Sequence, residues 1–140
     1  MSGKPMRAPV GQCHCGQIRF EFTAEPTDAS FCHCSICRRL TGSAFGAYAE
    51  IPDQALRILA GAEKLSRYQP TARLEKRFCA NCGVTLFTRH ADFPGHTYVS
   101  LGVLSDDHEI LPQYHQFTGS KAKWHMIADG LAQFAEWPEQ

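Results

Sequence analysis

Seven cysteines are the residues best suited to chemistry in this chain, and they occur in three tight clusters. The clusters are a C-x-C pair, a C-x-C-x-x-C triplet and a C-x-x-C pair, formed by Cys13 and Cys15, by Cys32, Cys34 and Cys37, and by Cys79 and Cys82. Cysteines that served only as small hydrophobic residues would be scattered over core positions. Zinc takes about four thiolates at ~2.3 Å in a tetrahedral array, so the clustering predicts zinc binding.

The two pairs together supply the four thiolates of a closed, structural zinc site. Cys13 and Cys15 would join Cys79 and Cys82 from a distant part of the sequence, and metal binding would then contribute directly to folding. A C-x-C pair in extended backbone would send its sulfurs to opposite faces, so the chain must bend there. Gly16 suits that bend.

The triplet predicts a second zinc site with one position open. Three protein ligands and an exchangeable fourth are typical of catalytic zinc, and Cys32, Cys34 and Cys37 would be the three. Three thiolates give the zinc unit a net negative charge, which weakens its Lewis acidity. Coordination instead removes the proton of an incoming thiol, whose ordinary pKa is about 8.5. We therefore expect two zinc ions per chain, with the open site the more easily emptied, and activation of a substrate thiol.

A histidine could instead close the second site. His14, His33 and His115 are each able to provide the fourth ligand, although a lone histidine is more often a surface or hydrogen-bonding residue. The protein would then be a non-catalytic interaction module with two structural zinc ions. The identity of the fourth ligand distinguishes this module from an enzyme.

The composition limits the other classes of function. The 140 residues contain 14 basic and 14 acidic side chains, so no overall field favours nucleic acid or an anionic membrane. Residues 1–10 lack the apolar core of a signal peptide, and no apolar run approaches the roughly 20 residues of a membrane span. These features predict a cytoplasmic protein, in which reduced cysteines bind metal more often than they form disulfides. They do not indicate an oligomeric state.

Short segments with strand character predict a mainly β fold of antiparallel strands. Residues 1–9 read as a flexible tail and residues 10–140 as one domain. The predicted strands are Ile18–Phe22, Phe45–Ile51, Leu56–Leu59, Leu65–Tyr68, Leu74–Cys79, Val84–Arg89 and Thr97–Leu101. Short helical segments are expected at Ser35–Leu40, ended by Gly42, and at Ser120–Trp124, whereas Leu131–Trp137 is ambiguous.

The cysteine clusters and their neighbours resemble the glutathione-dependent formaldehyde-activating enzyme family, which also includes the centromere-protein-V-like proteins. The resemblance runs from Gly11 to about Pro138. It rests on four stretches in the same order, which are Gly11–Gly16, Cys32–Ser43, Arg77–Gly83 and His115–Trp124 with Ser120-Lys121-Ala122 inside it.

The resemblance implies a compact fold of antiparallel strands around a zinc-knuckle core, the same division of the cysteines, and a carbon–sulfur lyase activity. That activity joins glutathione and formaldehyde reversibly into S-hydroxymethylglutathione. The glutathione sulfur would take the open position on the zinc held by the triplet. Basic side chains would meet the glutathione carboxylates, with Lys121 first among Arg38, Arg39, Lys121 and Lys123. Trp124 is expected in the core rather than in a substrate pocket.

Overall fold

A computed structural model of the protein describes residues 9–138, and their strands form two sheets. The smaller sheet is antiparallel and has the order β1-β2-β5. Its strands are β1 (Val10–Gln12), β2 (Arg19–Phe22) and β5 (Leu56–Ala60). Phe20 and Phe22 alternate with Arg19 and Glu21, so one face of β2 is apolar and fully buried.

The larger sheet has eight strands in the order β11-β10-β3-β4-β9-β8-β7-β6. They are β3 (Asp28–Cys32), β4 (Gly46–Pro52), β6 (Leu65–Thr71), β7 (Leu74–Cys79), β8 (Thr85–His90), β9 (His96–Ser100), β10 (Tyr114–Gln116) and β11 (Ala132–Gln133). The mainly β fold predicted from the sequence is thereby confirmed, and each predicted strand is present. β1, β3, β10 and β11 were not predicted, because they are short or rich in small and polar residues.

The antiparallel pairing predicted from the sequence holds in the larger sheet except at one edge. β10 pairs in parallel with both β3 and β11, whereas the other named pairings are antiparallel. A parallel neighbour needs a long connection, and the segment between β3 and β10 contains most of the sheet. The parallel pairing places Gln116 opposite Cys32, so the C-terminal part of the chain adjoins the cysteine triplet.

One α-helix, α1 (Ser35–Thr41), follows β3 directly. Its N-cap is Cys34, whose sulfur accepts a hydrogen bond from the backbone N–H of Cys37 at 3.3 Å. Gly42 ends the helix in the left-handed conformation, with φ 65°. The helix predicted at Ser35–Leu40 with Gly42 as its stop is therefore present, and two triplet cysteines lie at its beginning.

The second predicted helix, Ser120–Trp124, is absent. A 3-10 turn spans Thr118–Ser120 instead, and the chain is extended at Lys121. The Ser120 carbonyl accepts a hydrogen bond from the Arg38 side chain at 3.1 Å. This tertiary contact uses an oxygen that a helix would need for its own first turn. The ambiguous segment Leu131–Trp137 contains the short strand β11.

The core lies where the two sheets meet. Phe20 of the smaller sheet packs edge-on against Phe87 of the larger sheet, with ring centroids 5.2 Å apart. Gly11 makes this close approach possible, since a Cβ there would lie 2.4 Å from the Phe20 ring. Among the described residues, no helix has both the length and the apolar character needed to cross a membrane. Residues 1–8 of the predicted tail lie outside the described part of the chain.

We expect Phe20→Ala to lower the free energy of unfolding by roughly 3–5 kcal/mol, because it leaves a cavity between the sheets. Denaturant unfolding of the zinc-saturated protein would measure the change. Tyr68→Ala is the matched control, since Tyr68 is 52% exposed and its loss should cost no more than about 0.5 kcal/mol. Equal effects of the two substitutions would contradict the assignment of the core.

Candidate functional site

The four cysteines of the two pairs converge on one point. The sulfurs of Cys13, Cys15, Cys79 and Cys82 all lie within 4.8 Å of one another. The Sγ atoms of Cys13 and Cys15 are 3.5 Å apart, and those of Cys15 and Cys79 are 3.7 Å apart. Sulfurs at the corners of a tetrahedron with ~2.3 Å zinc bonds would be about 3.8 Å apart. The spacing fits a single zinc ion.

Tight turns at the ends of β1 and β7 aim these sulfurs at each other. The Gly16 N–H donates to the Cys13 carbonyl at 3.0 Å, and the Gly83 N–H donates to the Cys79 carbonyl at 2.8 Å. Both glycines have positive φ, 77° and 82°, a region that side chains with a Cβ rarely adopt. The expected bend after the C-x-C pair is therefore present.

Backbone N–H groups also stabilise negative charge on these sulfurs. The Ile18 N–H points to Cys13 Sγ at 3.4 Å, and the Cys82 N–H points to Cys79 Sγ at 3.5 Å. Hydrogen bonds from the Val84 backbone, and then from that of Cys15, lower the pKa of Cys82 to about 6. Thiolate is the form that binds zinc, so this turn favours metal binding.

The triplet forms a separate cluster in which the sulfurs of Cys32, Cys34 and Cys37 lie within 4.8 Å of one another. Cys32 ends β3, Cys34 caps α1 and Cys37 lies in its first turn, so a strand end and a helix start bring the three together. Hydrogen bonds from Cys32 and Cys37 hold the pKa of Cys34 well below its usual value, and the same sharing raises that of Cys32. This donor set also fits zinc.

The side of the triplet at Cys34 is the accessible one. Cys32 and Cys37 are each only 6% exposed, whereas Cys34 is partly exposed. Tyr98 and Phe117 pack against the same cluster from β9 and from the turn after β10. An incoming ligand would therefore approach the triplet past Cys34.

The histidines considered as fourth ligands do not join the triplet. Within residues 9–138, each group of converging metal-ligand atoms consists of cysteines only. His33 and His115 hydrogen-bond to each other at 2.8 Å, and His115 bonds to Asp129 at 2.7 Å. Burial, and then the charge of His115, lowers the pKa of His33 to about 4, so this ring is neutral at pH 7. His14 is exposed.

Two buried polar residues at the triplet were missed by the sequence analysis. The Tyr48 hydroxyl donates to Cys37 Sγ at 3.2 Å, and Lys76 Nζ donates to the Tyr48 oxygen at the same distance. Tyr48 is 8% exposed and Lys76 3%. The sequence did contain an indication that Lys76 is buried. Leu74 and Phe78 lie two residues before and two residues after it in a predicted strand, so these apolar side chains share a face with Lys76.

The basic residues expected to meet glutathione lie on two adjoining segments. The Arg38 hydrogen bond to Ser120 joins α1 to the segment that carries Lys121. Lys121 Nζ donates to the carbonyls of His125 at 2.8 Å and Ala122 at 3.3 Å, so it is already engaged. The remaining two, Arg39 and Lys123, are exposed.

The expectation that Trp124 fills the core is wrong, since this side chain is 73% exposed. Without the predicted helix, no apolar helix face forms to carry Trp124 inward. Trp137 is the better packed of the two tryptophans, at 44% exposure, and its ring meets that of Phe117 at 4.8 Å.

The model of the glutathione-dependent formaldehyde-activating enzyme family matches residues 8–120. The chain belongs to this family. Two relatives whose names assign them this activity provisionally come from Penicillium rubens and Halomonas elongata. The first is 32% identical over 114 residues, which are 78% of this chain and 60% of the relative. The second is 29% identical over 121 residues, which are 81% of this chain and 77% of the relative.

A solved structure has a similar fold. A Rhodobacter sphaeroides protein superposes with a TM-score of 0.60 at 30% identity, covering 71% of this chain and 91% of the other. This chain spans only part of the length of its fungal relatives, 60% for the Penicillium protein. The family model, which matches residues 8–120, includes all three cysteine clusters.

We expect protein purified under reducing conditions with added zinc to hold two zinc ions per chain, because the two sulfur clusters are separate. Elemental analysis would give the ratio, and stepwise addition of a chelator should empty the triplet first, since it has fewer ligands. A preparation without zinc under these conditions would contradict both sites.

We expect Cys79→Ser to unfold the domain or make it insoluble, because its sulfur belongs to the cluster that joins β1 to β7. Thermal melting with zinc present would measure this, with Cys34→Ser as the matched control that alters only the triplet. A Cys79→Ser protein with full zinc content and a Tm within a few degrees of the parent would show that the division into four and three is incorrect.

Proposed function

We propose that this protein is a zinc-dependent carbon–sulfur lyase that adds glutathione reversibly to formaldehyde or a related small aldehyde. The observation that carries the proposal is the triplet itself, three converging sulfurs with a partly exposed Cys34 and no histidine among their partners in residues 9–138. Membership of the family supports the choice of thiol and aldehyde.

The reaction makes and breaks one carbon–sulfur bond. The glutathione sulfur donates an electron pair to the carbonyl carbon, the π electrons move to the oxygen, and the proton lost by the thiol ends on that oxygen. The reverse reaction returns thiol and aldehyde, so no oxidant or reductant is consumed. Zinc, when bound, would lower the pKa of the thiol so that the sulfur reacts as thiolate.

Each part of the chain has a distinct role in this proposal. Cys32, Cys34 and Cys37 hold the zinc and leave space for the substrate sulfur on the Cys34 side. Tyr98 and Phe117 pack against the buried cluster of Cys32, Cys37 and Tyr48 and would shield it from solvent. The four other cysteines form the structural zinc site, which keeps the two sheets in place.

The glutathione carboxylates are proposed to bind along the basic edge beside α1. Arg38 and Lys121 adjoin one another there through the Ser120 carbonyl, and Arg39 and Lys123 add exposed charge. The bidentate guanidinium of Arg38 suits a carboxylate better than the ammonium of Lys121, whose donors are in use.

We also propose that residues 10–140 form one domain and that the protein acts in the cytoplasm.

Glutathione should form a new sulfur–metal bond in protein that carries cobalt in place of zinc. Titration of the parent should intensify the sulfur-to-cobalt charge-transfer band, whereas Cys34→Ser should stay folded and show no such change. Circular dichroism and metal content would verify folding of the variant. S-methylglutathione is the matched ligand control, because it keeps both carboxylates and lacks the thiol.

A parent spectrum that ignores millimolar glutathione would overturn the proposed function. The open position would then be blocked or would prefer another ligand, and an interaction module with two structural zinc ions would explain the site better.

A further inference from the structure

Lys76 is a buried cation without a carboxylate partner in the described residues 9–138. It lies in the middle of β7 and is 3% exposed. Its Nζ contacts Tyr48 twice, with a hydrogen bond to the hydroxyl at 3.2 Å and a position 4.9 Å from the ring centroid. A buried ammonium is costly unless an opposite charge compensates it. Tyr48 is neutral, so the charge that compensates Lys76 must come from a group beyond this direct contact.

The cysteine triplet offers a charge that can compensate Lys76. The Tyr48 hydroxyl accepts from Lys76 and donates to Cys37 Sγ, so one oxygen connects the ammonium to the sulfur. Tyr48, Cys32 and Cys37 form one buried cluster. In these low-dielectric surroundings the charge of Lys76 acts on the sulfurs more strongly than it would in water.

Gly46 keeps room for this connection. It lies opposite Cys32 in the pairing of β3 with β4, and a Cβ there would be 2.4 Å from the Tyr48 hydroxyl oxygen. Its φ is outside the left-handed region, so the backbone at this position would accept alanine. The requirement for glycine is thus steric, and the group it accommodates is the hydroxyl.

The charge balance indicates what the connection does. Three thiolates around a dipositive ion have a net negative charge, and a fourth thiolate adds another. A second buried negative charge is unfavourable, and a nearby cation offsets it. A neutral fourth ligand, such as water or imidazole, would gain much less from that cation.

Building on the proposed function, we infer that Lys76 and Tyr48 are positioning residues that select a thiolate as the fourth ligand of the triplet site. Lys76 supplies the charge, and Tyr48 transmits it through a hydrogen bond to Cys37. Neither residue has to touch the aldehyde or exchange a proton with it.

Three substitutions separate charge from packing. Lys76→Met removes the charge and keeps a long side chain, Lys76→Arg keeps the charge, and Tyr48→Phe keeps the ring and removes the hydroxyl. Lys64→Met is the control for removing an exposed lysine. If Lys76→Met does not fold, Gly46→Ala gives a second route, because it displaces the hydroxyl without changing any charged residue.

The experiment titrates each cobalt-loaded variant with glutathione and, separately, with imidazole. For Lys76→Met, Tyr48→Phe and Gly46→Ala we expect the Kd of glutathione to rise about tenfold, which corresponds to ~1.4 kcal/mol. Lys76→Arg and Lys64→Met should stay near the parent, and the Kd of imidazole should not rise in any of them. Retention of zinc against a chelator gives a readout that needs no glutathione.

The outcomes distinguish this inference from the proposed function. Equal glutathione affinity in the parent, Lys76→Met and Tyr48→Phe would overturn the inference and leave the proposed function intact. Equal losses of glutathione and imidazole affinity would overturn it too, since they would show a general disturbance of the site. A parent that binds no glutathione would overturn both, whatever the chelator shows.

Discussion

The convergence of four sulfurs between the ends of β1 and β7 is the constraint on which the rest of this structure depends. β1 belongs to the smaller sheet and β7 to the larger one, so the cluster joins the two sheets, and its Cys13 and Cys79 are part of the core. Phe20 and Phe87 meet across that core. Metal binding at this cluster would therefore favour the same arrangement of the sheets as apolar burial does, and each would make the other less costly in chain entropy.

The triplet depends on this frame less directly. Its cysteines are close in sequence, and a strand end followed by a helix start is enough to bring them together. Its surroundings, however, come from distant segments. β4 supplies Tyr48, β7 supplies Lys76, and the turn after β10 supplies Phe117. Only a completed larger sheet places these three side chains beside the sulfurs, so the triplet becomes a specific site through the fold of the whole chain.

The sequence predicted the parts of the molecule that local rules determine. Cysteine spacing indicated the two clusters, alternation indicated strands such as β2, and Gly42 marked the end of α1. Tertiary contacts determined the remainder. The carbonyl of Ser120 is engaged by Arg38, so the predicted helix does not form. Parallel pairing of β10 with β3 and the hydrogen bond from Lys76 to Tyr48 join residues far apart in sequence, and no local pattern encodes such partners.

The two clusters differ in the source of the positive charge that faces their sulfurs. At the closed cluster, backbone N–H groups of tight turns point to Cys13 and Cys79, and these partial charges are fixed by the turn geometry. At the triplet, the Cys37 N–H serves Cys34, while a full ammonium acts on Cys37 through one hydroxyl. Backbone dipoles suit a site whose charge stays constant. A whole cation would suit a site that takes up a substrate thiolate as proposed, because such a site would have to accommodate an added charge within a buried environment.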